Sequence, residues 1–241
     1  MAPAVLDQSQ VRAARTAGAL YLATMATGVF GFAVRSSLFV SGDVTRTAEN
    51  ILASRLYRLS IVTDMATFSG VLVLAWGLYV LLRPVNRDLA FLAMFFRIAE
   101  NAVLCMVTVS GLIALGLLES AVYQSLWSAG ELHALARLTL SAYAYGYMLA
   151  FVFLGLGSTV FAWLLLKSRY VPPVLAAWGI GASLLLALGS CAVILFPGAS
   201  QAMQMALQGP MGVYEVGLGA WLLVRGPRVP AVASPASGRI A

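Results

Sequence analysis

Residues 89–118 read LAFLAMFFRIAENAVLCMVTVSGLIALGLL, and only two of these thirty side chains, Arg97 and Glu100, carry charge. A helix rising 1.5 Å per residue crosses a bilayer core of about 30 Å in about 20 residues, so this run is more than long enough to span. Five further stretches follow the same rule. Ala17–Val34, Leu140–Leu166 and Val174–Phe196 carry no charge, and Leu59–Leu82 carries only Asp64. Met205–Val224, interrupted by Pro210 and Glu215, is the least regular.

Composition agrees with these spans. Of 241 residues, 61% are hydrophobic and 10% charged, with a mean hydropathy of +0.90. An ordinary soluble domain is roughly 25% charged, and a chain this apolar cannot cover a soluble core. Disorder, collagen, coiled coil and a disulfide-stapled module are excluded by the same numbers. The expected fold is all-α: a polytopic membrane protein with a bundle of six transmembrane helices and short amphipathic interfacial helices on the outer side. Its expected divisions are a cytoplasmic tail over 1–16, a transmembrane domain over 17–225 and a disordered cytoplasmic tail over 226–241. The first stretch, although preceded by Arg12 and Arg15, is too long for a signal peptide and reads as a signal anchor.

Orientation follows the basic residues. The N-terminal tail, the 82–89 and 166–174 turns and the C-terminal tail carry nine Lys and Arg, whereas the opposite side carries five: Arg35, Arg46, Arg55, Arg58 and Arg137. Both termini are therefore expected in the cytoplasm. Arginines at helix ends are membrane anchors, so the basic balance implies a lipid bilayer as partner and no nucleic acid. On the outer side, Ser41-Gly42-Asp43 reads as an N-cap for a short helix over Val44–Arg55, whose Ala48, Ile51 and Leu52 share one face. Residues 119–139 and 197–209 read as two further interfacial elements.

No metal or cofactor set is visible. Cys105 and Cys191 fall inside apolar runs and His133 stands alone in a loop, which removes the usual zinc, haem and Cys/His arrangements. Glycine pairs such as Gly28/Gly31, Gly155/Gly157, Gly179/Gly181 and Gly217/Gly219 follow no strand, so they read as close helix packing and not as nucleotide loops. Gly209-Pro210 reads as a helix start whose free N–H groups would point toward Glu215.

Four charges remain inside the spans, where each costs about 2.5–3.5 kcal/mol on insertion scales. Counted from the cytoplasmic side at 1.5 Å per residue, Arg97 lies about 12 Å deep, Glu100 about 17 Å and Glu215 about 14 Å. Asp64 lies about 8 Å below the outer surface, where Arg58 or another interfacial arginine is its expected partner. Arg97, Glu100, Asn101, Leu104, Thr108 and Gly111 fall within a 100° arc, one polar stripe that must face protein or a water-filled cavity. Arg97 and Glu100 can pair at i,i+3. With Glu215 the set is left at −1, so either a glutamate is protonated or a cation or ligand completes it. Arg97, Glu100, Asn101, Glu215 and Asp64 are the candidate ligand-binding residues. On the same stretch as Asp64, Ser60 and Thr67 share its face. Tyr143, Tyr145 and Tyr147 cluster in the outer half of the fourth stretch.

These residues carry a resemblance. Gly18-Ala19-Leu20-Tyr21-Leu22, Val34-Arg35-Ser36-Ser37-Leu38 with Gly42-Asp43, Thr47-Ala48-Glu49-Asn50-Ile51, and Leu81-Leu82-Arg83-Pro84-Val85-Asn86-Arg87 followed by Phe96-Arg97 and Glu100 are similar to a bacterial membrane family, domain of unknown function 4386. The likeness runs on to Glu215 and Trp221-Leu222-Leu223, covering roughly residues 12–225. It implies a bacterial inner-membrane protein and supplies no activity.

Three functions fit the residues. The first is binding or transport of a small or lipidic ligand at the Arg/Glu set; six helices make a small transporter, one that would need a second copy as a homo-oligomer. The second is an intramembrane enzyme using a buried glutamate as general acid on an isoprenoid or lipid, with Tyr143, Tyr147, Tyr214, Trp163 and Trp221 lining its pocket. The third is a structural or regulatory subunit in which the polar cluster only orders helices. The first is the expectation carried forward.

Overall fold

The computed structural model describes residues 6–196 and 201–228, without the side chains of 143, 144 and 201–205. Every element among them is a helix: α1 Gln8–Leu38, α2 Val44–Ala53, α3 Arg55–Leu82, α4 Arg87–Glu119, α5 Ala121–Leu126, α6 Ala129–Ser168, α7 Pro173–Leu195 and α8 Gln201–Val224. Five of these, α1, α3, α4, α6 and α7, are long and apolar enough to cross a membrane.

The helix ends follow local chemistry. Asp7 and Gln10 form a reciprocal capping box at the start of α1, and Ser128 and Glu131 repeat it on α6. Asp43 caps α2 by accepting from the Arg46 N–H at 2.8 Å, as the sequence suggests, and Asn86 caps α4 through the Leu89 N–H at 2.9 Å. Gly42, with φ +79, makes the turn into α2 that a side chain would strain.

Six helices close a ring in the order α1, α3, α4, α6, α7, α8 and back to α1. Glycines set the closest crossings. A Cβ on Gly18 of α1 would lie 2.7 Å from the Gly219 oxygen of α8, and one on Gly155 of α6 would lie 2.5 Å from the Ser183 oxygen of α7. Where backbones approach like this, dispersion replaces the hydrophobic drive that lipid cannot supply. Leu81, Leu82, Leu164, Leu165, Val171 and Leu222, none measurably exposed, fill the end of the ring that holds the start of α1 and the end of α8. At that end Arg228 donates its N–H to the Tyr170 oxygen at 2.7 Å. The other end is packed by Ile51, Tyr57, Leu115, Leu118 and Leu140.

Three sequence expectations change here. Residues 129–139 are not a separate interfacial element but the first turns of the 40-residue α6, which leaves only the six-residue α5 before it. Pro210 does not start a helix; it lies inside α8, which begins at Gln201. The expected element over 197–209 is accordingly replaced, from residue 201 on, by the first turns of α8, while 197–200 lie outside the described residues. Of the face expected on α2, Ala48 and Ile51 are buried together with Thr47, whereas Leu52 is exposed. The expected tail over 229–241 also lies outside the described residues.

Candidate functional site

The polar stripe of α4 is buried throughout. Arg97, Glu100, Asn101, Leu104, Thr108 and Gly111 all face into protein, as their common helical face requires. Arg97 Nη1 lies 2.8 Å from Glu100 Oε2, an i,i+3 ion pair buried within the ring. Arg97 Nε, Asn101 Oδ1, Ser158 Oγ, Tyr214 OH and Trp221 Nε1 are buried without a hydrogen-bond partner among the described residues. Native proteins hold few such atoms, and here α4, α6 and α8 contribute them, while α3 supplies the carbonyl that fixes Asn101. Asn101 spends its Nδ2 on the Phe68 oxygen of α3 at 3.0 Å, which fixes the stripe against that helix.

Two more helices bring groups to the stripe without packing on α4. The charges of Arg97 and Glu215 on α8 interact, and Tyr21 of α1 feels Arg97, Glu100 and Glu215. Neither α1 nor α8 packs on α4 in the ring, so these charges act on one another across its interior. Gly157 of α6 lets the ring close on this point: a Cβ there would stand 3.0 Å from the Ala93 oxygen and 3.4 Å from Arg97 Cγ. Tyr214 lies against Gly179 of α7, where any side chain would displace its ring. Glu215 is within the bundle but only partly buried.

Asp64 belongs to a second site. Its partner is Arg35 of α1, with Nη1 to Oδ2 at 2.8 Å and Nη2 to Oδ1 at 3.3 Å, a bidentate pair exposed by 8% and 2%. Arg35 Nη2 also donates to the Tyr147 hydroxyl at 3.4 Å, and Gly31 makes room for both charges. Arg58, the alternative partner, pairs instead with Glu119 at the exposed end of α4. Arg35 is therefore drawn into the interior of the ring. Ser60 is buried on the same face as Asp64, and Thr67 is joined to Thr27 of α1, oxygen to oxygen, at 2.6 Å.

The family profile Domain of unknown function (DUF4386) matches residues 16–226. The chain belongs to this family. No curated protein and no solved structure gives a match. The matched span takes in both polar sites, from Tyr21 and Arg35 to Glu215, so the family domain is the ring itself.

Sequence reasoning found Arg97, Glu100, Asn101, Glu215 and Asp64, and the ring brings the first four to one region. It did not find Tyr21 or Ser158 beside them, nor Arg35 beside Asp64. The aromatic lining expected for an isoprenoid pocket does not gather: Trp163 is 53% exposed on the outside of the ring and Tyr147 serves Arg35. Tyr214 and Trp221 remain inside, and the side chain of Tyr143 lies outside the described residues.

Proposed function

We propose that the chain is a six-span protein of the bacterial inner membrane that binds, and in a transport cycle carries, a small or lipidic ligand at Arg97, Glu100, Asn101 and Glu215. The observation that carries the reading is the set of buried polar atoms on α4, α6 and α8 without a hydrogen-bond partner among the described residues, on a stripe whose Arg97 and Glu100 lie within the field of Glu215. A cluster serving only to fix helix register would saturate its own donors and acceptors. The sixth span is α8, less apolar than the others because Gln208, Pro210 and Glu215 interrupt it. Six crossings agree with the start of α1 and the end of α8 lying at one end of the ring, and the excess of basic residues in the tails and turns of that side supports a cytoplasmic position for it. α2 and α5 then lie along the outer interface, where Val122, Leu126 and Trp127 meet lipid.

Native mass spectrometry with lipidomics, on protein purified in mild detergent, tests this reading. The wild type is expected to carry a small molecule or lipid that Glu100→Gln and Glu215→Gln lose by roughly tenfold or more, the size of one charge-assisted hydrogen bond. Melting temperatures of the variants decide the alternative. Empty spectra with a collapsed Glu100→Gln variant would make the cluster a structural device.

A further inference from the structure

Resting on that reading, we propose that the ligand is an amphiphilic cation, and that it reaches Glu215 sideways from the outer leaflet through a seam between α1 and α8. The described residues form three ion pairs: Arg35–Asp64, Arg58–Glu119 and Arg97–Glu100. Two of them neutralise the interior charges on α1, α3 and α4, and Glu215 is in none. Glu215 is thus the interior carboxylate outside these pairs, and a positive group would complete it.

The route is read from one side of each helix. On α1, Gly18, Tyr21, Met25, Val29 and Phe32 fall within an 80° arc at 100° per residue. At the inner end of that strip α8 touches the chain: the Cβ position of Gly219 is 2.8 Å from Tyr21 Cβ. Farther out the strip is bare, with Val29 57% and Phe32 51% exposed against 3% for Tyr21. On α8, Gly212 stands two turns outward of Gly219 on the same face and has nothing within 4 Å of its Cβ position. Gly28, on the stripe that joins Tyr21 to Arg35, is equally open.

The outer half of α8 has not left the bundle; it stays with α7. Gly189 faces Leu207, Ser183 Oγ donates to Met211 Sδ at 3.5 Å, and Trp178 Nε1 donates to the Pro210 oxygen at 3.0 Å. α1 and α8 thus form a V, closed at Gly18 and Gly219 and open toward the outer leaflet, with Pro210 in the diverging arm as a residue that bends helices. Glu215 lies one turn outward of Gly219, at the apex. The opposite, cytoplasmic end is sealed by the leucine plug, so an apolar cation slides in from lipid, where Val29 and Phe32 accept its hydrocarbon, and its charge stops at Glu215. This also explains why Glu215 is less buried than Arg97 or Glu100.

The full chain in lipid nanodiscs is titrated with radiolabelled tetraphenylphosphonium, and with tetraphenylborate as a probe of the same shape and opposite charge. Saturable binding of the phosphonium above empty nanodiscs is expected, with affinity falling about tenfold or more in Glu215→Gln. Gly212→Trp, which fills the seam, should slow association about tenfold, whereas Gly181→Trp, open to the outside of α7, should not. Melting temperatures confirm that each variant is folded. Equal association rates for the two tryptophan variants would overturn the lateral route and leave the cation site standing. Preference for the borate, or indifference to Glu215→Gln, would overturn the cation; a molecule co-purifying in a Glu100-dependent way would still support the binding site. Saturable binding of neither ion overturns the proposal, and empty native spectra as well would remove the reading beneath it.

Discussion

Asp64→Ala is expected to destabilise the protein by about 3–5 kcal/mol, the cost of leaving a buried charge without its partner. Arg35 is held between α1, α3 and α6, where Asp64 is the carboxylate it pairs with and the Tyr147 hydroxyl is neutral. Both oxygens of Asp64 are engaged, so the variant removes two charge-assisted contacts at once. Arg35→Leu combined with Asp64→Leu should recover most of the loss, because a neutral apolar pair of similar volume carries no desolvation cost. The exposed Arg58–Glu119 pair is the internal control: Arg58→Ala should cost about 0–1 kcal/mol. Reversible unfolding of the three variants and the wild type in mild detergent reads these differences directly. An Asp64→Ala variant as stable as wild type would show that Arg35 reaches water or lipid phosphate, and that the pair does not hold α1 to α3.

The stripe on α4 was legible in the sequence and Arg35 was not, for a physical reason. Inside a long apolar run, charges at 97 and 100 have nowhere to go but inward, and a 3.6-residue period places Asn101 and Thr108 beside them. Arg35 stands at the end of a run, where an arginine normally reaches the headgroups. Its burial depends on Gly31 and on Asp64 and Tyr147, which only the packing of α1 against α3 and α6 supplies. Tyr21 was silent likewise, since one aromatic in an apolar run looks like packing until Glu215 is brought across the ring. Five of the six expected spans were legible because length and charge suffice. Faces within a span are harder: lipid is as apolar as the core, so Met106, 72% exposed, and Leu104, 9% exposed, read alike in sequence. The boundary at 129 was lost because the apolar run weakens there although the helix continues from its Ser128 capping box.

Gly18→Ala should destabilise the protein, although the same change elsewhere in a helix stabilises it. Alanine exceeds glycine in helix propensity by about 1 kcal/mol, and this gain is expected at Gly181 and Gly116, whose Cβ positions are open. At Gly18 the new methyl would stand 2.6 Å from the Leu223 nitrogen and 2.7 Å from the Gly219 oxygen. These are backbone atoms of α8 and cannot swing aside as a side-chain tip can. The helices must part, at a cost near the upper end of the about 1–3 kcal/mol typical of overpacking. Gly155→Ala meets the Ser183 oxygen at 2.5 Å and should behave alike, but it loosens α6 from α7, away from the seam. That difference separates stability from function. Both variants should lose melting temperature, while Gly18→Ala alone should also shift phosphonium binding, because Tyr21 and Glu215 flank the crossing that it opens. Stabilisation by Gly18→Ala would mean that α1 and α8 do not touch there, and the apex of the V would have to be sought elsewhere on the ring.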